Sequence, residues 1–281
     1  MTLALTRDLV AAAVREDSAV AAFNVITLEH AEAIVSGGET AGAALLLQLS
    51  ENTVRFHDGN MVPILAACTE LAKAASIPVA IHLDHFQDVA LIDAGIAAAS
   101  VTGVSSLMVD AAHLPYALNV ERTAALSRVA HDIGLWIEAE LGEVGGKDGA
   151  HAPGVRTDPD EAAEFVGDTG VDGLAVAVGS SHAMTAKTAT LDIALIGRLA
   201  ERVPVPLVLH GSSGVPDETI RQAVAAGMRK INIGTALGVA FTSAVRRRLD
   251  ATTSSDPRIY LRDGRAAITE TVARLCSVVS R

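Results

Sequence analysis

The sequence predicts an α/β fold, a closed (β/α)8 barrel carrying an N-terminal helix and a C-terminal helical extension, with residues 1–281 forming one domain. Three observations predict it. Apolar runs of strand length alternate with amphipathic helical segments from end to end, and such alternation favours a parallel sheet. The strand–helix units number eight within 281 residues, the count that closes a TIM barrel. A doubly wound open sheet would need a GxGxxG turn after the first strand, and none follows Asn24.

Taken in order, a charged helix with Arg7, Asp8, Arg15, Glu16 and Asp17 opens the chain. The first strand is Val20–Asn24, followed by a helix over 28–41. The second is Ala43–Ser50, with a helix over about 60–76. The third, Val79–His85, ends in a carboxylate between two imidazoles and leads to a helix over 88–99. The fourth, Val104–Asp110, precedes a helix beginning after Pro115. The fifth, Leu135–Glu140, runs into residues 141–157, which carry five glycines and one proline without a period. A structureless stretch of that length after an acid-loaded strand reads as an active-site lid. Strands over Gly173–Val178, Pro206–His210 and Lys230–Gly234 complete the barrel, with helices starting near Pro216 and Ala236 after the last two.

A net charge of −11 argues against nucleic acid or an anionic membrane as the main partner. The first 22 residues are too charged for a signal peptide, and no apolar run reaches membrane-spanning length. The two cysteines, Cys68 and Cys276, lie in separate helical segments without CxxC spacing, so buried thiols in a reducing compartment are expected, with a cytoplasmic location.

Barrel chemistry sits where the strands end. Those ends read Asn24, Ser50, Asp84-His85, Asp110, Glu140, His182, His210 and Asn232. One histidine at a strand end is usually structural, but histidines from strands 3, 6 and 7 of one barrel point to a metal. Three imidazoles leave a tetrahedral position open for substrate, which favours zinc, with cobalt, manganese or iron as alternatives. His82 lies two residues before Asp84, on the same strand face but deeper, behind the metal or in the core. His30, His57, His113, His131 and His151 hold no such position. The turn His210-Gly-Ser-Ser-Gly-Val-Pro216 leads into a helix, and its small residues let backbone amides approach a phosphate. Gly179-Ser180-Ser181 and Asn232-Ile-Gly234-Thr235 add donors nearby.

Together these segments resemble the class II, metal-dependent ketose-bisphosphate aldolases. Ala22-Phe-Asn-Val25, His82-Leu-Asp-His85, Ser106-Leu-Met-Val-Asp110, Glu138-Ala-Glu-Leu-Gly142, His210-Gly-Ser-Ser-Gly214 and Lys230-Ile-Asn-Ile-Gly-Thr235 carry the resemblance, with Asp256-Pro-Arg258 beyond them. The length is closer to the tagatose-bisphosphate branch. The resemblance implies that His85, His182 and His210 bind a catalytic Zn2+, with Glu140 an additional ligand in an alternative metal position and Asp110 close by. Asp84 would be the acid–base residue. Gly179, Lys187, Gly211, Ser213 and the turn of Asn232, Gly234 and Thr235 would hold the 1-phosphate, near a monovalent cation site. Asn24 and Ser50 would contact substrate. Arg258 would reach the other phosphate from a neighbouring subunit, which implies a homo-oligomer, dimer or tetramer. The implied reaction is reversible cleavage of fructose or tagatose 1,6-bisphosphate to dihydroxyacetone phosphate and glyceraldehyde 3-phosphate.

Two positions depart from the family pattern. His182 is followed by Ala183 instead of glycine, and the lid offers Asp148, or Glu143, where the family has a glutamate that moves a proton. The only lysine near a strand terminus is Lys230, at the start of strand 8, which argues against a Schiff-base mechanism. Alternatives are an aldolase of this family acting on a phosphorylated deoxy-keto acid of inositol breakdown, a zinc hydrolase, and a non-catalytic sugar-phosphate binder.

Overall fold

A computed structural model of the protein describes residues 2–142, 156–182 and 184–280. Asp148, Glu143 and Ala183, with most of the expected lid, lie outside the described residues. The elements run α1 (Thr6–Arg15), β1 (Val20–Asn24), α2 (Leu28–Ala41), β2 (Leu45–Ser50), α3 (Glu51–Phe56), α4 (Val62–Ala74), β3 (Val79–Phe86) and α5 (Val89–Ala99). They continue with β4 (Val104–Val109), α6 (Tyr116–Asp132), β5 (Trp136–Leu141), α7 (Pro159–Thr169), β6 (Gly173–Val176) and α8 (Ile193–Arg202). The chain ends with β7 (Leu207–Leu209), α9 (Asp217–Ala225), β8 (Met228–Ile233), α10 (Thr235–Asp250) and α11 (Pro257–Val279). All strand pairs are parallel, and β8 closes on β1, so the predicted barrel is the observed one.

Two side-chain layers follow from the strand period of two. The outward residues, such as Phe23, Leu47, Ile81 and Leu174, pack against the helices as the main core. The inward residues Val20, Ala22, Leu46, Ala80, Trp136, Ala175 and Val208 fill the lower barrel, and Leu9 and Val10 of α1 join them as a plug. Trp136 fits because Gly173 stands beside it: a Cβ there would lie 2.3 Å from the indole ring. Above this apolar layer the inward positions turn polar, with Gln48, His82, Glu138 and Lys230 all fully buried.

Three details differ from expectation. The strands β6 and β7 are shorter than their apolar runs, so His182 and His210 sit on loops just past the sheet. Ser50 begins a short helix, its hydroxyl accepting from the Thr53 amide at 3.2 Å, an N-cap that turns the chain outward. Lys230 is not at the start of strand 8, because β8 begins two residues earlier, at Met228, and carries Lys230 into the interior. Both cysteines are buried thiols, and burial pushes each up to about 12.

Candidate active site

Alternation along a strand should send Asp84 and His85 to opposite faces. Both nevertheless line one cleft of about 820 Å3 at the C-terminal rim. The register of β3 against β4 shifts between Leu83 and Phe86, and His85 has φ +55°, in the left-handed region. A bulge of this kind re-aims one side chain, and non-glycine residues in that region concentrate at functional sites. Asn24, Ser50, Gly211, Ser213, Asn232, Gly234, Thr235 and His182 line the same cleft.

Four donors converge on its floor: ligand-competent atoms of His85, Glu140, His182 and His210 all lie within 4.8 Å of one another. The imidazole rings of His85 and His210 are 4.5 Å apart by centroid, and His85 and His182 5.0 Å. Each of two rings spends one nitrogen on a carboxylate. His85 Nδ1 is 2.9 Å from Asp110 Oδ2, and His210 Nε2 is 2.8 Å from Glu138 Oε1. A carboxylate accepts only, so those nitrogens carry the protons. The other ring nitrogens, His85 Nε2 and His210 Nδ1, are buried and lack a hydrogen-bond partner among the described residues, the latter 3.3 Å from Glu140 Oε2. That donor set, with imidazoles oriented by carboxylates, fits a zinc-type ion. Asp110 falls outside the four-donor group, because its Oδ2 is committed to His85 and to the Gln87 amide at 3.0 Å.

Asp84 is held by amide donors. Asn24 Nδ2 donates to Oδ2 at 3.3 Å and Asn232 Nδ2 to Oδ1 at 3.1 Å, while Gln48 Nε2 holds the Asn24 carbonyl at 2.8 Å. Burial works against its ionised form, but the His85 and His210 imidazoles outweigh burial and keep it well below the usual carboxylate range. Glu138 shows the same balance: burial raises it, yet the Lys230 ammonium brings it to about 2. His82 is pushed down to about 3, mainly by burial, and its Nδ1 meets Ser106 Oγ at 2.8 Å.

On the other side of the cleft, Gly211 adopts φ +66°, and a Cβ there would stand 2.7 Å from the Ser181 backbone. This lets the loop after β7 press against the loop after β6. Ser213 Oγ accepts from the Ala236 amide at 3.1 Å, and Gly234 and Thr235 begin α10, whose sixteen residues direct partial positive charge at the cleft. Gly179, Lys187 and Arg258 do not line the cleft of their own chain, and Arg258 is expected to act from a neighbouring one. Gly179, with φ +117°, passes under the Thr190 carbonyl, where a Cβ would come within 2.3 Å. Lys187 pairs with Asp217, which also takes Arg274. Arg258 is an exposed side chain bonded to Asp256 at 2.8 Å, away from the cleft of its own chain.

Gln48 and Glu138 were not singled out from the sequence as site residues. Each stands two positions before a strand-end residue, Ser50 and Glu140, so the period of two already placed them one layer below the rim. His30 also lines the cleft, its Nδ1 3.1 Å from Thr27 Oγ1 and its ring stacked on Phe241.

A closed parallel barrel with an imidazole–carboxylate group and an ionised acid at its C-terminal rim defines a barrel enzyme with a metal-competent centre. The chain belongs to the family described as fructose-bisphosphate aldolase class-II, whose profile matches residues 4–281. It is 34% identical over 284 residues to the D-tagatose-1,6-bisphosphate aldolase subunit GatY of Klebsiella oxytoca, covering 99% of this chain and 98% of the relative. The crystal structure of the YdjI aldolase from Escherichia coli K12 superposes with a TM-score of 0.84 at 30% identity, covering 98% of this chain and 96% of that one. A fructose-bisphosphate aldolase structure from Campylobacter jejuni shares the fold, with a TM-score of 0.81, 22% identity, and coverage of 97% and 93%. The protein is thus an aldolase, a carbon–carbon lyase.

Proposed function

We propose that the protein catalyses reversible, zinc-dependent cleavage of a ketose 1,6-bisphosphate, fructose or tagatose, to dihydroxyacetone phosphate and glyceraldehyde 3-phosphate. The observation that carries this reading is the shared cleft: the four-donor group and ionised Asp84 face a backbone cradle at the start of α10. His85, His182, His210 and Glu140 would hold the zinc, which when bound supplies a Lewis acid for the ketone oxygen.

The chain's own residues do the rest. Gly211, Ser213 and the Gly234–Thr235 turn bind the 1-phosphate and set the sugar's register. Asp84, held ionised by its surroundings, takes the proton from the C4 hydroxyl. The C3–C4 bond then breaks, the aldehyde forms at C4, and the electron pair stays on the three-carbon fragment until C3 takes up a proton, which balances the one Asp84 removes and later releases. Asn24 and Asn232 keep the Asp84 oxygens aimed at the cleft while the proton moves. Arg258 would serve the second phosphate of a neighbouring copy in a homo-oligomer.

A coupled assay with each bisphosphate, before and after chelation and zinc re-addition, tests the proposal. Zinc-restored release of dihydroxyacetone phosphate supports it, and the faster epimer names the substrate. Full activity after complete zinc removal overturns it.

A further inference from the structure

Under the cleft floor lies a charge pair that touches neither substrate space nor solvent. Lys230 and Glu138 are both fully buried, with Nζ 2.8 Å from Oε2. Taking two charges out of water is unfavourable, and an apolar pair of similar volume is often at least as stable. A role in geometry accounts for the pair at this place.

The contacts show what it fixes. The other Glu138 oxygen, Oε1, accepts from His210 Nε2 at 2.8 Å. That nitrogen also has the Asn232 amide 3.1 Å away, so it faces an acceptor and a donor, which demand opposite tautomers. Glu138 decides between them: its other oxygen is held by Lys230, so Oε1 can only accept, and at 2.8 Å it is closer than the amide. The proton stays on Nε2, and Nδ1 turns toward the donor group, 3.3 Å from Glu140 Oε2. Lys230 also donates to Asn232 Oδ1 at 2.7 Å. With its oxygen so engaged, Asn232 must present its nitrogen to Asp84 Oδ1. A flipped amide would set an acceptor against a carboxylate.

We propose that Lys230 is a positioning residue for both halves of the site. Through Glu138 it sets the His210 tautomer that offers Nδ1 to the metal, and through Asn232 it sets the direction of Asp84. The inference rests on reading the four-donor group as the zinc centre. It assigns to Lys230 a task unlike the Schiff-base chemistry a barrel lysine can perform.

The test uses the full chain, zinc-loaded. Histidine 15N NMR of the wild type reads the His210 tautomer directly and needs no variant. K230M and the charge-neutral pair E138Q/K230M follow, the pair guarding against a lone buried charge that prevents folding. Zinc affinity is measured by competition with a chromophoric chelator, alongside kcat, KM and the thermal midpoint. The expected results are a proton on His210 Nε2, zinc binding weakened about 10–100-fold in the folded variants, and a loss in kcat exceeding any change in KM. A proton on Nδ1 in the wild type overturns the inference. So does a folded pair variant with wild-type zinc affinity and kcat. Failure of the wild-type chain to bind zinc overturns the metal reading itself, and this inference with it.

Discussion

At the scale of single residues, Asp84 and His85 divide the chemistry between adjacent positions, which the bulge in β3 makes feasible. Asp84→Asn keeps the shape and removes the base. The expected kcat falls about 10²–10⁴-fold while zinc content per chain stays unchanged, checked by steady-state kinetics and metal analysis. A variant retaining more than a tenth of kcat would move the base elsewhere. His210 gives a second expectation. Burial lowers its affinity for protons, but the Glu138 and Glu140 carboxylates outweigh burial and raise the metal-free imidazole to about 9. Zinc needs the Nδ1 lone pair, so below that value a proton must leave as the metal enters. Apparent zinc affinity should therefore climb as pH rises from about 6 toward 9 and level off above it. Chelator competition across that range checks the slope, and a flat profile contradicts the protonated metal-free state.

At the scale of elements, the barrel's polar interior joins α1 to the site. Thr6 Oγ1 lies 2.6 Å from Ser106 Oγ, which meets His82 Nδ1, one layer below Asp84. Thr6→Val keeps the volume and removes one hydroxyl contact from each of Ser105 and Ser106, at a cost of about 1–3 kcal/mol in urea unfolding. The pairing of β5 and β8 residues through the barrel adds a pH signature. Glu138 falls from an ordinary 4.5 to about 2 in the fold. A depressed carboxylate stabilises fully above its unfolded value, so this contribution is present above 4.5 and is lost as pH falls toward 2. E138Q/K230M should show a flatter stability profile through that window than the wild type, measured by thermal midpoint at each pH. An identical slope would place the acid sensitivity in other groups. Elements were also where the sequence was most legible. Apolar runs such as Val79–His85 name buried strands by length and composition alone. The α3 turn after Ser50 was missed because six residues are too short for a helical period to register. The interior place of Lys230 was missed for another reason. A charged residue in an apolar run reads as its boundary, and only the cross-barrel partner Glu138, 92 positions away, shows that it is neutralised inside.

At the scale of the whole molecule, the C-terminal rim gathers residues from positions 24 to 238, and closure of the barrel is what brings them together. Arg258 tests whether the site extends beyond one chain. It heads α11, and its side chain is 84% exposed, held among the described residues by Asp256. If it completes a neighbouring cleft, R258A and D84N chains are each impaired alone but complement one another when mixed. An active site then needs its own Asp84 and a neighbour's Arg258. In a random equal mixture each requirement is met half the time, so about one quarter of wild-type activity should return, for a dimer or a tetramer in which each cleft borrows from one neighbour. Co-refolded or co-expressed mixtures, with oligomeric state followed by light scattering, provide the measurement. Activity no higher than the sum of the separate variants would confine Arg258 to its own chain. Wild-type turnover by R258A alone would remove it from the site, leaving the far phosphate to residues of the cleft itself.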